Sequence, residues 1–557
     1  MSIFSSSPYI HNTTERGRAI SNHTYKYDSR VRKVKCDEEK PHCRRCTSTG
    51  RKCDGYSPTP PPGVLWHRPR HLSSGISGTP GEGRCLQFFC EVVGPLLSGP
   101  LDSYFWTHLA MQFSQFEPAV RHSLISISSL YEQLQFNSGP HTRLADNSLA
   151  LFHYNAAIRE LKALNNEPLV LLVCVLFVCI EFLQGHREAA IQHCRHGIEI
   201  LKNVEDAFPW AREYLAPIFR RLNMVPLFFG IMPGTFPRVT ELGEDSFPDS
   251  FASLADAQFI LDDILNRTIH LIRYSDMYIL GGRSLEGDPA VAEHLEEKRS
   301  INRALDLWDL RFQKLDNPSS ESLNLAKAYC NLVVRYNVAR VWSDATFEPD
   351  EMVFDKHIDA FKLMVDEATK INPVGTIVDS TFATSQAHPK FIFEMGFTPL
   401  FYFVLLKCRS LVTRIRALAL VRRLGVAREN MWDTAGILQT GRRLIEIEHG
   451  IKVDENGLPC DPASVDWTAL PPDEIRVRST STESKLTIQE DENGRLITGR
   501  MTAFYKLSPE GKIYAHLEFL PEDLGSVPIE IDLNPRLQLM TESCETPEEQ
   551  FSSDLSE

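Results

Sequence analysis

The chain has 557 residues, enough for two or more domains, and 43% of them are hydrophobic, as in ordinary globular proteins. Its net charge of −14 excludes a protein that coats nucleic acid along its whole length, so contact with nucleic acid would have to be local. The start has no apolar signal-like run, and the longest apolar stretch, 169–180, is too short to cross a membrane. We therefore expect no membrane partner, and we expect a buried core helix that begins at Pro168.

Residues 1–29 are polar, show no periodicity and are predicted to be disordered. The stretch that follows them, residues 30–56, reads RVRKVKCDEEKPHCRRCTSTGRKCDGY. Its four cysteines have the spacing C-x6-C-x2-C-x6-C and are Cys36, Cys43, Cys46 and Cys53. Thiolates this close together can turn onto one tetrahedral Zn²⁺ ion, and a segment too short to bury a core would need that metal to fold.

Basic residues surround these cysteines. Nine of them against three acidic residues give residues 30–53 a charge of +6, which leaves −20 for the remainder of the chain. A segment that is both metal-held and basic is typical of a nucleic-acid-binding module, although such a run can also be a solvated charged face or a nuclear import signal. The residues that we expect to contact double-stranded DNA are Arg30, Arg32, Lys33, Lys35, Arg44 and Arg45.

This segment resembles the binuclear zinc cluster of fungal transcription regulators. The family pattern is C-x2-C-x6-C, a loop that ends in proline, and then C-x2-C-x6-C. Cys36, Cys43, Cys46 and Cys53 match its third to sixth cysteines, and Pro41 stands where the family keeps the loop proline. The resemblance implies that Lys33 matches the lysine that reads a CGG triplet.

The chain departs from the family pattern at its first two cysteines. Counting back from Cys36, those positions hold Lys26 and Ser29, and no cysteine precedes Cys36. In the family, six thiolates hold two zinc ions. Two explanations are open: the cluster is degenerate, or residues 1–29 are a wrongly predicted start that replaced the true Cys-x-x-Cys exon.

Residues 57–83 are rich in proline and glycine, which predicts a linker without helix or strand. No heptad repeat follows the cluster, so the sequence leaves homodimerisation open.

From 84 to 450 the apolar positions recur at helical spacing, which predicts a large helical array. Ser114 and Glu117 suggest a capping box before a helix that contains Pro118 in its first turn. Further helices are expected at 325–342, 399–424 and 434–449. The apolar faces are expected to comprise Val120, Leu124, Ile127, Tyr131 and Leu134; Leu151, Tyr154, Ile158 and Leu161; and Ile191, Cys194, Ile198 and Leu201.

Segments of this array resemble the helical regulatory region that follows the zinc cluster in many fungal regulators. They include QFFCEVVGPLLSG, LLVCVLFVCIEFLQG and FEMGFTPLFYFVLLKCRSLVTRIRALAL. The resemblance is diffuse and contains no chemical motif, so it implies membership of the family rather than a specific role.

The hydropathy pattern of the sequence changes after Pro471. Apolar and polar residues alternate around the turn signals Asn493-Gly494 and Pro509-Glu510-Gly511, so residues 471–534 are predicted to be β-rich, with an antiparallel meander. Residues 541–557 carry six acidic residues and no basic one, which predicts a disordered acidic tail.

The sequence therefore predicts a mainly α protein with a small metal-held DNA-binding module, a flexible linker, a large helical array that folds alone, and a short C-terminal β-meander. The leading hypothesis is a nuclear, zinc-dependent regulator of RNA polymerase II genes that recognises CGG-like triplets and works with co-regulators. The alternative is a regulatory scaffold with a degenerate cluster that does not bind DNA. We find no nucleotide-binding, metalloprotease or nucleophile-elbow motif, and we therefore expect no enzyme.

Overall fold

The computed structural model describes residues 79–99, 101, 103–136, 144–239, 247–280, 284–315, 323–371, 389–483, 485–490 and 494–521. The predictions for residues 1–29, for the cysteine segment, for most of the linker and for the acidic tail lie outside these residues. The chain divides into two compact units after Gly75, within the predicted linker, and all described residues belong to the second unit.

Helices dominate the described residues, which confirms the mainly α prediction. The α-helices are α1 Pro80–Phe88, α2 Gly94–Leu97, α3 Ala110–Phe113, α4 Pro118–Phe136, α5 Ser148–Ala163, α6 Glu167–Gln184, α7 Arg187–Val204, α8 Pro209–Tyr214, α9 Ala216–Phe228, α10 Leu254–Ile279, α11 Pro289–Phe312, α12 Leu323–Ala345, α13 Ile358–Lys370, α14 Thr398–Lys407, α15 Leu411–Leu424 and α16 Thr434–His449. The strands are β1 Phe391–Ile392, β2 Arg428–Glu429, β3 Trp432–Asp433, β4 Val477–Thr482, β5 Thr487–Glu490, β6 Leu496–Leu507 and β7 Ile513–Pro521.

Helix α6 is the predicted core helix. The Asn166 side chain caps its start, Pro168 occupies the first turn, and Gly185 ends it with a φ of 74° that favours glycine. By length and composition α6 could cross a membrane, but 89% of it is buried inside the protein. Its apolar residues therefore form the interior of the helical array.

Two of the three predicted apolar faces are confirmed. Every predicted position is buried on α4, from Val120 to Leu134, and on α7, from Ile191 to Leu201.

The prediction for α5 is wrong, although the helix exists. Its buried residues are Ala150, His153, Ala156 and Ala157, while Leu151 is 38% exposed. Small residues allow close approach to α4, where the Ser126 hydroxyl donates to the Ala150 carbonyl at 3.1 Å. Close backbone packing therefore decided which face of α5 is buried, and hydrophobicity did not.

Two predicted boundaries near the N-terminal end of the helical array are also wrong. The Ser114 hydroxyl donates to the Met111 carbonyl at 2.7 Å and so belongs to the end of α3, not to a capping box for α4. Helix α1 begins at Pro80, inside the predicted linker. The Glu82 carboxylate accepts from the Thr79 amide at 2.8 Å and the Thr79 hydroxyl accepts from the Glu82 amide, which offsets the helix-breaking composition.

The helix predicted over 399–424 is two helices, α14 and α15, separated by an extended turn at Cys408. The Ser410 side chain caps the second helix by accepting from the Thr413 amide. The break turns Arg409 inward, where its side chain is fully buried. The charge network described below explains why the chain leaves the helix here.

A small sheet stabilises the start of α14. Strand β2 pairs in parallel with β1 and antiparallel with β3, and its Glu429 side chain is completely buried. The Glu429 carboxylate accepts from the Thr398 amide at 3.0 Å, the Thr398 hydroxyl at 2.7 Å and the Val426 amide at 3.2 Å. Gly396 is required beside it, because a Cβ there would lie 2.8 Å from a Glu429 oxygen.

Residues 477–521 form the predicted antiparallel meander. The long strand β6 pairs with β4, β5 and β7, and Gly494 and Gly511 adopt positive φ at the predicted turns. Strand β4 begins at Val477 against the helices and lies within the predicted β-rich residues 471–534. Phe504 and Val477 are fully buried and pack with Leu444 of α16, which joins the sheet to the helical array.

A buried charge cluster lies at this junction. Glu448 meets Arg414 at 2.8 Å and Arg409 at 3.4 Å, and all three side chains are fully buried. Glu448 also accepts from the Val477 amide at 2.7 Å. Burial alone would raise the pKa of Glu448, but the two guanidinium charges outweigh it and lower that pKa, so the carboxylate is ionised.

The cluster continues into neighbouring elements. Glu351 accepts from Lys407 at 2.7 Å and from Arg409 at 3.0 Å. Arg476, whose side chain is also fully buried, donates to both oxygens of Asp355 at 2.9 and 2.7 Å. We name the set Glu351, Asp355, Lys407, Arg409, Arg414, Glu448 and Arg476 the junction network.

The junction network changes the expected domain boundary. A helical domain that ended at residue 450 would keep Arg409 and Arg414 but lose Val477 and Arg476, and it would leave buried polar groups of the network without their partners. Removing one side of a buried ion pair is strongly destabilising because the remaining charge has no compensation. The helical array and the C-terminal sheet are therefore expected to fold as one body.

We predict that Glu448→Ala lowers the free energy of unfolding by about 3–5 kcal/mol, because it leaves buried Arg414 and the Val477 amide without their carboxylate partner and leaves Arg409 with Glu351 alone. Denaturant unfolding followed by circular dichroism measures this. Glu296→Ala is the control, since that carboxylate pairs with Arg299 at the exposed surface. Similar losses in the two variants would contradict the role of the network.

A second prediction concerns pH. Burial raises the pKa of Glu429 to about 7, although donors from Thr398 and Val426 oppose the shift. The folded state thus holds this proton more tightly than the unfolded state, whose pKa is near 4.5, so stability present below pH 4.5 is lost as the pH rises to 7. The size of the loss is about 3 kcal/mol.

The neutral variant Glu429→Gln removes this titration. The glutamine amide of the variant cannot accept all the hydrogen bonds that the Glu429 carboxylate accepts. The comparison therefore uses the slope of the unfolding free energy against pH rather than its absolute value. The wild type should lose stability relative to the variant between pH 4.5 and 7, as measured by denaturant unfolding. Parallel pH profiles would show that Glu429 has an ordinary pKa.

Candidate metal centre and DNA interface

The ten residues predicted to bind zinc or DNA all lie outside the described residues. They are Cys36, Cys43, Cys46 and Cys53 for the metal, and Arg30, Arg32, Lys33, Lys35, Arg44 and Arg45 for DNA. Their roles stay predictions that depend on the sequence and on comparison with known proteins.

The ligand count can still be tested against the sequence. Two tetrahedral zinc ions that share two bridging thiolates need six sulfurs, and residues 1–62 contain four cysteines. Four thiolates are enough for one zinc ion by number. The chain as given therefore does not supply the full ligand set of a binuclear cluster.

Cysteines in the described part of the chain have a different environment. Cys174, Cys179, Cys194 and Cys408 are buried free thiols. Burial raises the pKa of Cys174 to about 12 and that of Cys408 to about 11, so both remain protonated. Within the described residues no group of three or more His, Cys, Asp and Glu side chains is placed to hold a metal ion.

The helical body contains one polar cleft that sequence reasoning missed. It encloses about 220 Å³, part of it open to solvent, and is lined by Arg220, Arg238, Val239, Asp263, Asn266, Arg267 and His270. The signal available in the sequence was a run of polar residues within the apolar period of α10.

The charges in this cleft are largely compensated. Arg267 donates to both oxygens of Glu297 at 2.7 and 3.0 Å, and Arg220 lies 3.5 Å from Asp263. Burial, with a smaller effect from Arg238, lowers the pKa of His270 to about 3, so its imidazole is neutral. Two of the three arginines that line the cleft therefore face carboxylates.

The charge network at the other side of α10 is structural as well. Asp262 pairs with Arg335 of α12 and lies 3.5 Å from Arg221, which in turn donates to Glu394 at 2.8 Å. These contacts join α9, α10, α12 and the segment before α14. These ion pairs therefore hold the helices in place. The cysteine segment remains the predicted DNA-binding part of the chain.

Comparison with protein families supports that segment. Residues 30–62 match the model of the fungal Zn(2)-Cys(6) binuclear cluster domain. The match contains all ten predicted site residues and begins directly after Lys26 and Ser29, the positions where the family's first two cysteines are expected.

Two curated proteins are similar over longer stretches. One is the aspercryptin biosynthesis cluster-specific transcription regulator atnN of Emericella nidulans, 30% identical over 328 residues, which cover 51% of this chain and 52% of that protein. The other is the transcription regulator lscL of Purpureocillium lilacinum, 30% identical over 201 residues, which cover 31% of this chain and 47% of that protein.

The chain thus spans about half the length of these relatives. Alignments of this length extend beyond the 75 residues of the first compact unit. No solved structure matches the chain. The resemblance seen in the cysteine spacing is confirmed: residues 30–62 match the fungal Zn(2)-Cys(6) binuclear cluster domain.

Proposed function

We propose that this protein is a zinc-dependent, sequence-specific DNA-binding regulator of transcription by RNA polymerase II. The observation that carries the proposal is the family match at residues 30–62, which coincides with the +6 segment in an otherwise acidic chain. Both curated relatives are described as transcription regulators, which favours a regulatory role over an enzymatic one. Such a protein would work in the nucleus.

The division of labour follows from charge. Residues 30–53 attract phosphate, whereas the remainder of the chain sums to −20 and would repel it. Arg30, Arg32, Lys35, Arg44 and Arg45 would contact the phosphate backbone and fix the register of the segment on DNA. Lys33 would read the edge of a CGG-like triplet in the major groove.

In this proposal the body from α1 to β7 is the regulatory domain. The junction network makes the helical array and the C-terminal sheet one unit, so a partner bound to one part can influence the other. Co-regulators are the expected partners of this body. Because the predicted linker lies between the cysteine segment and the helical body, the body would act on a tethered DNA-binding segment.

A second function is favoured by one observation. Lys26 and Ser29 replace two ligands, so the cluster as given lacks a third of its thiolates. A cluster that cannot fold would leave a regulatory scaffold that binds protein partners and not DNA. Metal content and DNA binding of the same samples distinguish the two functions.

We predict that the full chain binds fewer than two zinc ions, because it supplies four of six thiolates. Lys26→Cys combined with Ser29→Cys should raise the content to two and tighten binding to CGG-containing DNA, since metal–thiolate binding can contribute about 10 kcal/mol or more to folding. Elemental analysis and fluorescence anisotropy measure the two effects.

The matched control is Tyr25→Cys with Asp28→Cys, which has the same spacing but is shifted by one residue. It should gain neither zinc nor affinity. Two zinc ions in the unaltered chain would refute the ligand count. Equal gains in the control would show that the cysteine register is wrong, and zinc gain without DNA binding would favour the scaffold.

A further prediction separates base reading from phosphate contact in the chain with the restored cysteines. Lys33→Ala should reduce the preference for CGG-containing over random DNA by about 1–3 kcal/mol. Arg44→Ala should weaken binding to both DNAs equally and lower the slope of log affinity against log salt by about one. Both variants lose one positive charge, so each controls for the other. Equal losses on both DNAs in both variants would contradict the assignment of Lys33.

A further inference from the structure

The C-terminal sheet has two faces of different character. The register pairs Phe504 with His516 and Thr502 with Glu518, and these residues lie on the face toward the helices. Phe504 is fully buried there, and Glu518 accepts from Arg443 of α16 at 2.6 and 2.9 Å. The helical body therefore covers the inner face at Thr502, Phe504 and Glu518, whereas Tyr514 and His516 at the far end of β7 are exposed.

The opposite, outer face is apolar on two strands. Its residues on β6 and β7 are Met501, Ala503, Tyr505, Leu507, Ile513, Ala515, Leu517 and Phe519. On β4 and β5 the same face is polar, with Ser479, Ser481 and Gln489, whose amide lies 3.8 Å from the Met501 sulfur. The apolar surface thus extends toward β7, where Leu517 is 63% exposed.

Strand β7 is also an edge. In the described part of the chain it pairs only with β6, so alternate N–H and C=O groups along its other side point outward. A nine-residue edge with an exposed apolar face is a template for a further strand. What covers it must approach from the β7 side.

We propose that residues 527–533 of this chain pair with the open edge of β7 and cover its outer face. The chain continues for 36 residues beyond Pro521, so this segment starts within reach of the edge. Its sequence, VPIEIDL, alternates apolar and other residues, the pattern of a strand with one buried face. Residues 522–526, EDLGS, contain the glycine that a hairpin loop of this length uses.

The alternation of apolar residues in β7 and in residues 527–533 supports this pairing. In an antiparallel hairpin with a five-residue loop, Val527 lies opposite Pro521. Phe519 then lies opposite Ile529, and Leu517 lies opposite Ile531. All four apolar residues of the segment therefore project from the outer face, beside the exposed side chain of Leu517.

The remaining residues fit an outermost strand. Asp532 and Glu530 would project from the inner face, where His516 is half exposed and Arg443 already neutralises Glu518. Pro528 lacks an N–H group and is tolerated at a sheet edge, where it also discourages pairing with another chain. Docking would anchor the acidic residues 541–557 beside the body, whether or not the cysteine segment binds DNA.

Hydrogen–deuterium exchange with mass spectrometry tests the proposal on peptides that cover 513–521. In the full chain about half of these amides should gain protection from the added strand. They should exchange roughly tenfold faster or more in a chain that ends at Pro521 and in the variant Ile529→Asp with Ile531→Asp. Glu530→Gln is the matched control, because it alters the other face and should keep the protection.

Peptides from α6 provide an internal reference for folding. If α6 also exchanges faster in the chain that ends at Pro521, the truncation has disturbed the fold of the body. The comparison between the full chain and the Ile529→Asp with Ile531→Asp variant then decides the result. Equal exchange of β7 in the full chain and the variants would overturn the proposal. Protection that depends on protein concentration, with a dimeric mass by light scattering, would overturn it in favour of a second copy at this edge.

Discussion

Glu448 is the group on which the architecture of the body depends. Its carboxylate lies at the end of α16 with no exposure to solvent, between Arg409 and Arg414, and it accepts the amide of Val477, the first residue of the C-terminal sheet. A buried carboxylate is expensive to desolvate, and only its charged and hydrogen-bonded partners offset that expense. The same atoms therefore fix a break between two helices and the origin of a sheet.

Buried polar contacts join the elements of the helical body to one another. Helix α6 supplies the apolar interior, and Arg428 of β2 donates to the Phe182 and Leu183 carbonyls at 3.0 Å near its C-terminal end, where a positive charge is favoured. The junction network joins the C-terminal sheet to the helices in the same way. The helical array and the C-terminal sheet are thus joined by specific polar contacts rather than by a linker.

The distribution of charge separates the two ends of the protein in function. The net charge of +6 over residues 30–53 contrasts with −20 elsewhere, and several arginines of the body, among them Arg267, Arg409 and Arg423, face carboxylates or backbone carbonyls within it. The proposed affinity for DNA is therefore assigned to the cysteine segment. Folding of this segment depends on its set of zinc ligands, since a metal-held module of this size has no core to replace a missing thiolate.

The sequence by itself determined the resemblance to the fungal zinc cluster domain, through cysteine spacing and basic flanks, and it determined the helices whose apolar period was unbroken, α4, α6, α7 and α16. It also located the meander, because turn glycines and alternation are local signals. Only the tertiary structure decided which face of α5 is buried, where the helix predicted over 399–424 breaks, and that the sheet joins the helices. Those outcomes depend on backbone approach at Ala150 and on charges brought together from Glu351, Arg409, Glu448 and Arg476. Contacts between residues so distant along the chain leave no periodic trace in the sequence.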